Sequence, residues 1–208
     1  GLRADVTVVM NGLPGAMGRE VAAACLRRGM HLAPVALTGP GMPAEHVVDA
    51  GIPGGPVAVR LVPGPSSLDP EEGSPAEEAG RELAALAESL GPSGCIVCID
   101  YTHPTAVASN GAWYARHNLP FVMGTTGGDR AALESALASP GAPACVIAPN
   151  MAKQIVAFQA GLERMARDFP GAFEGYTLRV TESHQATKAD TSGTAKAISQ
   201  SLAALAAD

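Results

Sequence analysis

Short hydrophobic runs alternate with amphipathic stretches through residues 1–149. Val- and Leu-rich runs bounded by Gly or Pro predict buried strands at 5–11, 31–37, 57–62, 95–101, 120–124 and 144–148. Apolar residues at helical spacing predict helices at 15–28, 103–117 and 129–138, and an acidic helix within 66–91. Strands alternating with helices indicate parallel pairing, so residues 1–149 are predicted to form an α/β, Rossmann-like doubly wound domain that binds a dinucleotide.

The acidic helix carries its own start signals. Ser74 is predicted to cap it, Pro75 suits its first turn, and Glu77 completes a capping box. Its apolar stripe is predicted to consist of Leu83, Leu86, Ala87 and Leu90. The carboxylates of this region are interpreted as a solvated face and not as a metal site; they are Asp69, Glu71, Glu72, Glu77, Glu78 and Glu82.

The pattern changes after residue 149. A long helix is predicted over 150–169, because Ile155, Phe158, Leu162, Met165 and Phe169 share one side. Alternation of apolar and polar residues predicts a half-buried strand over 174–184, and a last helix is predicted over 191–205. One strand and two helices cannot close a domain, so residues 150–208 are predicted to be an incomplete α+β catalytic or substrate domain.

Composition bears on the class of function. The net charge is −6, and Lys and Arg are scattered, so no surface for nucleic acid is predicted. No apolar run approaches the ~18 residues of a membrane span, and no signal or transit pattern opens the chain. The four cysteines are interpreted as buried structural thiols in a reducing compartment, because Cys95 and Cys98 face opposite sides of a strand and no second pair completes a metal site.

A glycine-rich turn joins the first strand to the first helix. It is Gly12-Leu-Pro-Gly15-Ala-Met-Gly18, in the context that a dinucleotide phosphate loop needs. Gly12 permits the tight turn, Gly15 lets the backbone approach a pyrophosphate at the helix N-terminus, and Gly18 allows close packing. The spacing is G-x-x-G-x-x-G and not the commoner G-x-G-x-x-G, so a merely tight strand–helix turn is the alternative interpretation.

The end of the second predicted strand bears on cofactor choice. An NAD site usually has an acidic residue there for the ribose hydroxyls, whereas this chain has Ala36-Leu37-Thr38-Gly39. The missing acid favours NADPH or tolerance of both cofactors. No Lys or Arg beside Thr38 offers a charge to a 2′-phosphate, so NADH stays the alternative cofactor.

Two further strand ends, residues 100–104 and 124–128, are candidate cofactor contacts. The second presents flexible backbone and the hydroxyls of Thr125 and Thr126 to a nicotinamide carboxamide and ribose. An ordinary Gly-rich turn is the alternative interpretation.

The most informative polar segment is 182–194, which leaves a predicted strand, crosses a loop and starts a helix. Ser192, Gly193 and Thr194 place hydroxyls and N–H groups at the helix N-terminus, which suits a carboxylate or phosphate. Lys188 adds a cation and a proton donor, and His184 adds a group that titrates near neutrality. This pattern predicts an anion site with acid chemistry, and a capped helix after a polar turn is the alternative.

The segment resembles the E-[AS]-H-[HQ]-x-x-K-x-D-x-S-G-T-A signature of 4-hydroxy-tetrahydrodipicolinate reductases. Gln185 is similar to the plant and algal branch, in which Gln stands where most bacterial enzymes have a second His. Further matches follow in order along the chain at 12–18, 100–104, 124–127 and 148–151.

The resemblance implies NAD(P)H-dependent reduction of 4-hydroxy-tetrahydrodipicolinate in lysine (diaminopimelate) biosynthesis. Lys188 is the implied proton donor, and His184 assists it. The implied substrate-binding residues are Gln185, Ser192, Gly193 and Thr194. The predicted cofactor-binding residues are Gly12, Gly15, Ala16, Met17, Gly18, Thr38, Thr102, Gly124, Thr125, Thr126, Asn150 and Met151.

The resemblance also implies a small dicarboxylate substrate, a homo-oligomer in the full-length protein, and location in the chloroplast stroma, with the cytoplasm as the alternative. Ala16 departs from the family, since many relatives have Arg or Lys there, and this weakens the preference for NADPH. Members of the family continue with further strands and a helix, so the chain is expected to be truncated at its C-terminus.

Two alternatives stay open. A different two-domain NAD(P)-dependent dehydrogenase, acting on an amino acid or a sugar, would explain the glycines but not the polar residues from His184 to Thr194. A cofactor-binding fragment without activity is the other alternative.

Overall fold

The computed structural model describes residues 6–125, 127–138, 140–148, 150–184 and 192–206. The chain divides into two compact units, Gly1–Ile147 and Ala148–Asp208. In the first unit the strands are β1 (Val6–Asn11), β2 (His31–Leu32), β3 (Val35–Thr38), β4 (Glu45–Val48), β5 (Val57–Pro63), β6 (Cys95–Asp100), β7 (Phe121–Met123) and β8 (Cys145–Ile147). Its helices are α1 (Ala16–Arg27), α2 (Pro75–Ser89), α3 (Val107–Arg116) and α4 (Arg130–Leu137). The predicted alternation of strand and helix is confirmed.

The main sheet has five parallel strands in the order β2-β1-β6-β7-β8. Residues Val8, Val9 and Met10 of β1 are all buried, as expected for a parallel strand covered on both faces. β1 has β2 on one side and β6 on the other, so the strand order reverses at β1. In open α/β sheets a crevice for ligands lies at such a reversal, outside the carboxyl ends of the strands.

The strand predicted over 31–37 is in fact two strands. β2 pairs with β1, whereas β3 pairs with β5 in a second sheet of order β3-β5-β4. Pro34 lies between them and has no N–H to give to a ladder, while its carbonyl accepts from the Arg60 N–H at 2.9 Å. Strand β4, antiparallel to β5, was not predicted, because the many Gly and Pro residues around it indicate turns.

A buried carboxylate joins α2 to α3. Glu77 Oε1 accepts from Arg116 Nη1 at 2.8 Å, and Glu77 Oε2 lies 3.3 Å from His117 Nε2, within ion-pair distance but without hydrogen-bond alignment. Gly80 makes room for this arrangement, since a Cβ there would lie 2.3 Å from the His117 ring. The interpretation of Glu77 as a solvated group is therefore wrong: the two basic side chains at the end of α3 draw it inward.

The capping box predicted for α2 is not formed. Ser74 occupies the N-cap position, but its side chain makes no cap hydrogen bond. Its hydroxyl is buried and has no partner among the described residues. The prediction is wrong because Glu77, the other half of the box, pairs with α3 and not with the backbone at the start of α2.

The prediction of four buried thiols holds for Cys25 and Cys98 and is wrong for Cys95 and Cys145, which are exposed. Both exposed cysteines are the first residues of their strands and lie at the amino-terminal ends of the parallel strands. Burial raises the pKa of the Cys98 thiol, and the nearby Asp100 carboxylate raises it further.

In the second unit the described regular structure is helical, with α5 (Lys153–Asp168) and α6 (Gly193–Ala206) in contact. The strand predicted over 174–184 is not formed: residues 171–175 make turns, and 176–184 have no regular structure. An extended segment becomes a strand by pairing, and the described part of this unit contains no strand to pair with it. Of the α+β elements predicted for this unit, the two helices are therefore formed and the strand is not.

None of the described helices combines the length and hydropathy needed to cross a membrane. Across the described ranges, no three His, Cys, Asp or Glu side chains come together as ligands for a metal ion.

We expect Glu77→Ala to lower the free energy of unfolding by about 2 kcal/mol, because Arg116 loses a buried acceptor and His117 loses a neighbouring carboxylate. The matched control is Glu78→Ala, since Glu78 is the next residue of α2 and is exposed. Urea unfolding is followed by the fluorescence of Trp113, whose ring lies 5.2 Å from that of His117. Equal midpoints and slopes for the two variants would contradict the role given to Glu77.

Candidate functional site

The turn after β1 is closed by contacts that glycine permits. Gly12 has φ +101°, and a Cβ there would lie 2.3 Å from the Tyr101 carbonyl oxygen. A Cβ at Gly15 would lie 2.8 Å from the Gly12 carbonyl oxygen, and a Cβ at Gly18 would lie 3.0 Å from the same atom. Gly15 and Gly18 therefore pack on the Gly12 carbonyl, Gly12 packs on the Tyr101 carbonyl, and together the three glycines bring α1 close to the end of β1.

The start of α1 offers backbone donors beside this turn. The helix begins at Ala16, and the N–H groups of a first helical turn have no acceptor inside the helix. Ala16 and Met17 are exposed, whereas Gly18 is buried against the turn. Free N–H groups and the helix dipole make this position suitable for an anion.

Thr38 holds the turn from the side of β3. Its hydroxyl donates to the Leu13 carbonyl at 2.5 Å. The Gly12 N–H donates to the Leu37 carbonyl at 3.0 Å, and the Leu37 N–H donates to Asn11 Oδ1 at 2.7 Å. The Thr38 hydroxyl, predicted as a cofactor contact, thus serves the turn itself.

A buried carboxylate lies at the end of β6. Asp100 Oδ1 accepts from the Thr102 N–H at 3.1 Å, the Thr102 hydroxyl at 2.7 Å and the Thr125 hydroxyl at 2.8 Å. Asp100 Oδ2 accepts from Asn110 Nδ2 at 2.9 Å and the Tyr114 hydroxyl at 2.7 Å. These five donors make Asp100 the centre of a hydrogen-bond network that spans β6, β7 and α3.

The same network reaches β1 and β3. Asn11, the last residue of β1, donates through Nδ2 to the Tyr114 hydroxyl at 2.8 Å and accepts the Leu37 N–H. Tyr114 is fully buried; burial raises its pKa well above the ordinary value, and the Asp100 carboxylate raises it further. The carboxyl ends of β1, β3, β6 and β7 are therefore linked by side chains that pass beneath the turn.

This network changes the roles of two predicted contacts. The hydroxyls of Thr102 and Thr125 point to Asp100, so they position the strand ends. Gly124 donates its N–H to the Asp100 carbonyl at 2.9 Å, and its Cα is covered by Tyr101, because a Cβ there would lie 2.3 Å from the ring. Thr126 lies outside the described residues.

A cavity of about 770 Å³ opens at the carboxyl ends of β1, β3 and β5 and beside the stretch that follows β6. The residues that line it are Gly12, Leu13, Pro14, Gly15, Leu37, Thr38, Gly39, Pro40, Met42, Pro63, Gly64, Pro65, Ser66, Tyr101, Thr102, His103, Thr105, Ala106, Ser109 and Asn110. None of these residues is Asp, Glu, Lys or Arg. The wall is therefore mainly apolar, with hydroxyl and amide groups and the His103 imidazole, which suits an uncharged ring and its sugar.

The part of this wall formed by Met42, residues 63–66, Ser109 and Asn110 was not predicted from the sequence. The signal that could have found residues 63–66 is their place directly after β5, since ligands meet the carboxyl ends of parallel strands. Asn110 is buried, and its Oδ1 has no hydrogen-bond partner among the described residues. The amide faces Gly64, where a Cβ would lie 3.4 Å from Oδ1.

In the second unit the structure brings several predicted residues together at the start of α6. Asn150 Nδ2 donates to the Thr194 hydroxyl at 2.9 Å, and Ser192 Oγ caps the helix by accepting from the Ala195 N–H at 3.0 Å. Gly193 and Met151 are exposed. Gln185 and Lys188 lie outside the described residues.

A carboxylate of the chain itself lies at the N-terminus of α6. The Ser192 N–H donates to Glu182 Oε1 at 3.2 Å, and His184 Nε2 lies 3.1 Å from Glu182 Oε2. The hydrogen bonds from Ser192 and the proximity of His184 hold the pKa of Glu182 below its ordinary value. This helix end can thus bind a carboxylate, as the hydroxyls and N–H groups of 192–194 predict.

The chain is similar in sequence to known reductases. Residues 70–151 match the family model described as "Dihydrodipicolinate reductase, N-terminus". Over 94% of its length the chain is 40% identical to "Probable 4-hydroxy-tetrahydrodipicolinate reductase 2, chloroplastic" of Oryza sativa subsp. japonica. The chain is therefore similar to dihydrodipicolinate reductases over nearly all of its length. The resemblance stated from the polar segment and the glycine turn is confirmed.

Similarity within the family is stronger on the plant side. The chain is 39% identical over 193 residues to "4-hydroxy-tetrahydrodipicolinate reductase 1, chloroplastic" of Arabidopsis thaliana, which is 93% of this chain and 50% of that protein. A bacterial relative, "4-hydroxy-tetrahydrodipicolinate reductase" of Nocardia farcinica, matches 52% of the chain at 37% identity and is covered over 43% of its own length. The chain spans about half the length of the plant relatives, with 54% of the rice protein covered.

The first prediction from the site concerns the turn. We expect Gly12→Ala to lower the free energy of unfolding by about 2 kcal/mol, because alanine is strained at positive φ and its Cβ meets the Tyr101 carbonyl. The control is Gly39→Ala, since a Cβ there meets nothing within 4 Å. Urea titration compares the two, and a Gly12→Ala variant as stable as Gly39→Ala would refute the close contact.

The second prediction concerns pH. A folded-state pKa above the unfolded one stabilises the fold fully below the unfolded value, about 10 for Tyr, and this stability is lost as pH rises further. We therefore expect the melting temperature of the wild type to fall more steeply above pH ~10 than that of Tyr114→Phe. The buried thiols of Cys25 and Cys98, whose pKa values are also raised, are present in both proteins and cancel in the comparison. Parallel curves would contradict the buried Tyr114–Asp100 contact.

Proposed function

We propose that this chain provides the nucleotide-binding unit, and residues of the substrate site, of an enzyme that reduces 4-hydroxy-tetrahydrodipicolinate to tetrahydrodipicolinate with NAD(P)H in lysine biosynthesis. The observation that carries the proposal is the glycine turn packed on Tyr101 at the point where the strand order reverses, in a chain 40% identical to a plant protein with that name. The names of the relatives favour this substrate over an amino acid or a sugar.

The first unit fits a dinucleotide. The space that a Cβ would fill at Gly12, Gly15 and Gly18 lets backbone and ligand approach each other, and the start of α1 offers N–H groups to a pyrophosphate. Beside it, the uncharged cavity accommodates the adenosine half between the ends of β3 and β5. When bound, the reduced nicotinamide supplies a hydride to the substrate.

We propose NADPH as the preferred cofactor, with NADH accepted. The cavity wall has no carboxylate to hold the ribose hydroxyls of NADH or to repel a 2′-phosphate. The wall also has no Lys or Arg to bind the 2′-phosphate of NADPH, and this limits how strongly the site can distinguish NADPH from NADH. The remaining residues of the proposed cofactor-binding set are Ala16, Met17, Thr38, Thr102, Gly124, Thr125, Thr126, Asn150 and Met151. Among them Thr38, Thr102 and Thr125 act as positioning residues.

For the substrate we propose the start of α6 as the carboxylate-binding position. Ser192, Gly193 and Thr194 hold a substrate carboxylate through their N–H groups and hydroxyls, and Gln185 assists; in the structure Glu182 accepts from the Ser192 N–H at this position. Lys188 is the proposed proton donor to the substrate, and His184 supports it. A dicarboxylate makes the lysine charge favourable for binding as well as for chemistry.

We further propose that the whole protein is a homo-oligomer located in the chloroplast stroma. The location rests on the names of the plant relatives, which are described as chloroplastic.

The test of this proposal is turnover of 4-hydroxy-tetrahydrodipicolinate, followed by loss of NADPH absorbance in the full-length protein. We expect Lys188→Ala to lower turnover at least about 100-fold while NADPH binding stays within about twofold. The control is Lys196→Ala, because Lys196 is an exposed lysine of α6. Full turnover in Lys188→Ala would reject the proton-donor role, and turnover on an amino acid or a sugar alone would reject the substrate.

A further inference from the structure

The Asp100 side chain is a buried charge without a cationic partner in the described part of the chain. It is completely buried, and all five of its hydrogen-bond partners donate to it: one backbone N–H, one amide and three hydroxyls. A group that only accepts is the carboxylate form, since a protonated acid would need an acceptor for its own O–H. Among the described residues, no Lys, Arg or His forms an ion pair with it.

The donors around Asp100 are neutral dipoles. They stabilise the carboxylate locally, but they leave a net charge of minus one at the end of β6. In a protein interior such a charge is felt over more than 10 Å, because screening by solvent and ions is weak there. The other titratable groups packed against it, Tyr114 and Cys98, are uncharged near neutral pH, since burial raises both pKa values.

Asp100 also lies where the proposed cofactor would place its reactive ring. It ends β6, and its partners Thr102 and Thr125 begin the segments after β6 and β7. A dinucleotide bound across the reversal at β1 has adenosine on the β3 side and nicotinamide on the β6 side. The charge is therefore closer to the nicotinamide than to the adenosine.

We propose that Asp100 makes the site prefer the oxidised cofactor over the reduced one. The oxidised nicotinamide ring carries one more positive charge than the reduced ring, so a nearby buried carboxylate binds it more favourably. A tenfold preference lowers the potential of the bound two-electron couple by about 30 mV, which makes the bound reduced cofactor a stronger donor. The inference rests on the proposed function and adds to it an electrostatic role for a residue of the fold.

The test compares the Kd of NADPH and of NADP⁺ in wild type and in Asp100→Asn. NADPH is titrated by its own fluorescence, and NADP⁺ by competition against it. We expect the ratio of the NADP⁺ Kd to the NADPH Kd to rise on the order of tenfold in Asp100→Asn, the effect of one charge at roughly 10 Å in an effective dielectric of about 20. Equal weakening of both cofactors would assign Asp100 a structural role alone and overturn the proposal.

Two controls separate charge from structure. The exchange Asp100→Asn with Asn110→Asp keeps one carboxylate and one amide in contact, and we expect the ratio to return to within about threefold of wild type. Tyr114→Phe removes one neutral donor and keeps the charge, so we expect the ratio to stay at or below that of wild type. A ratio in the exchange variant that stays as high as in Asp100→Asn would overturn the proposal.

If Asp100→Asn fails to fold, as judged by circular dichroism, the Kd ratio is measured in Thr125→Val instead. It withdraws one donor from the carboxylate and leaves the charge more exposed to the ring, so we expect the ratio to fall below that of wild type. A rise would overturn the proposal. Wild type that binds neither cofactor would reject the proposed function itself, which distinguishes that failure from failure of the charge effect.

Discussion

The buried carboxylate of Asp100 is the constraint on which the nucleotide-binding unit depends. Removing a carboxylate from water is costly unless its oxygens are fully hydrogen-bonded, and here donors from β6, β7 and α3 meet that demand. Because Tyr114 carries the network on to Asn11 and thus to β1 and β3, the strand ends cannot move independently. The glycine turn packs against this network, because Gly12 contacts the backbone of Tyr101, the residue after Asp100.

Local periodicity accounts for most of what the sequence predicts correctly. The strands and helices of the first unit follow from runs of Val and Leu and from helical spacing, which need no knowledge of distant residues. The departures come from contacts that are remote in sequence. Glu77 was interpreted as solvated because its partner Arg116 lies 39 residues away, and the strand predicted over 31–37 divides because β3 pairs with β5 and not with β1. The segment 174–184 has the alternation of a strand but lacks a described partner to pair with.

The site residues that belong to a short sequence motif could be predicted. Those that come together only through folding could not. The turn at 12–18 and the polar residues at 182–194 have recognisable spacing, and both led to the family. The sequence places Asp100 at a predicted strand end. Its five donors are spread along the chain as far as Thr125, so its place at the centre of the hydrogen-bond network is seen only in the folded structure. The wall from Pro63 to Ser66 has no motif and acquires its role from following β5.

The described wall of the cavity has no Asp, Glu, Lys or Arg, which has a consequence for how proteins of this fold can diverge. Gly39, Pro40 and Met42 lie in this wall directly after β3, and none of them takes part in the described hydrogen-bond network around Asp100. Introducing an acid or a base there leaves the hydrogen bonds beneath the turn intact. Nucleotide preference in this fold can therefore change through substitutions of exposed residues, and the hydrogen bonds that hold the strand ends together are kept.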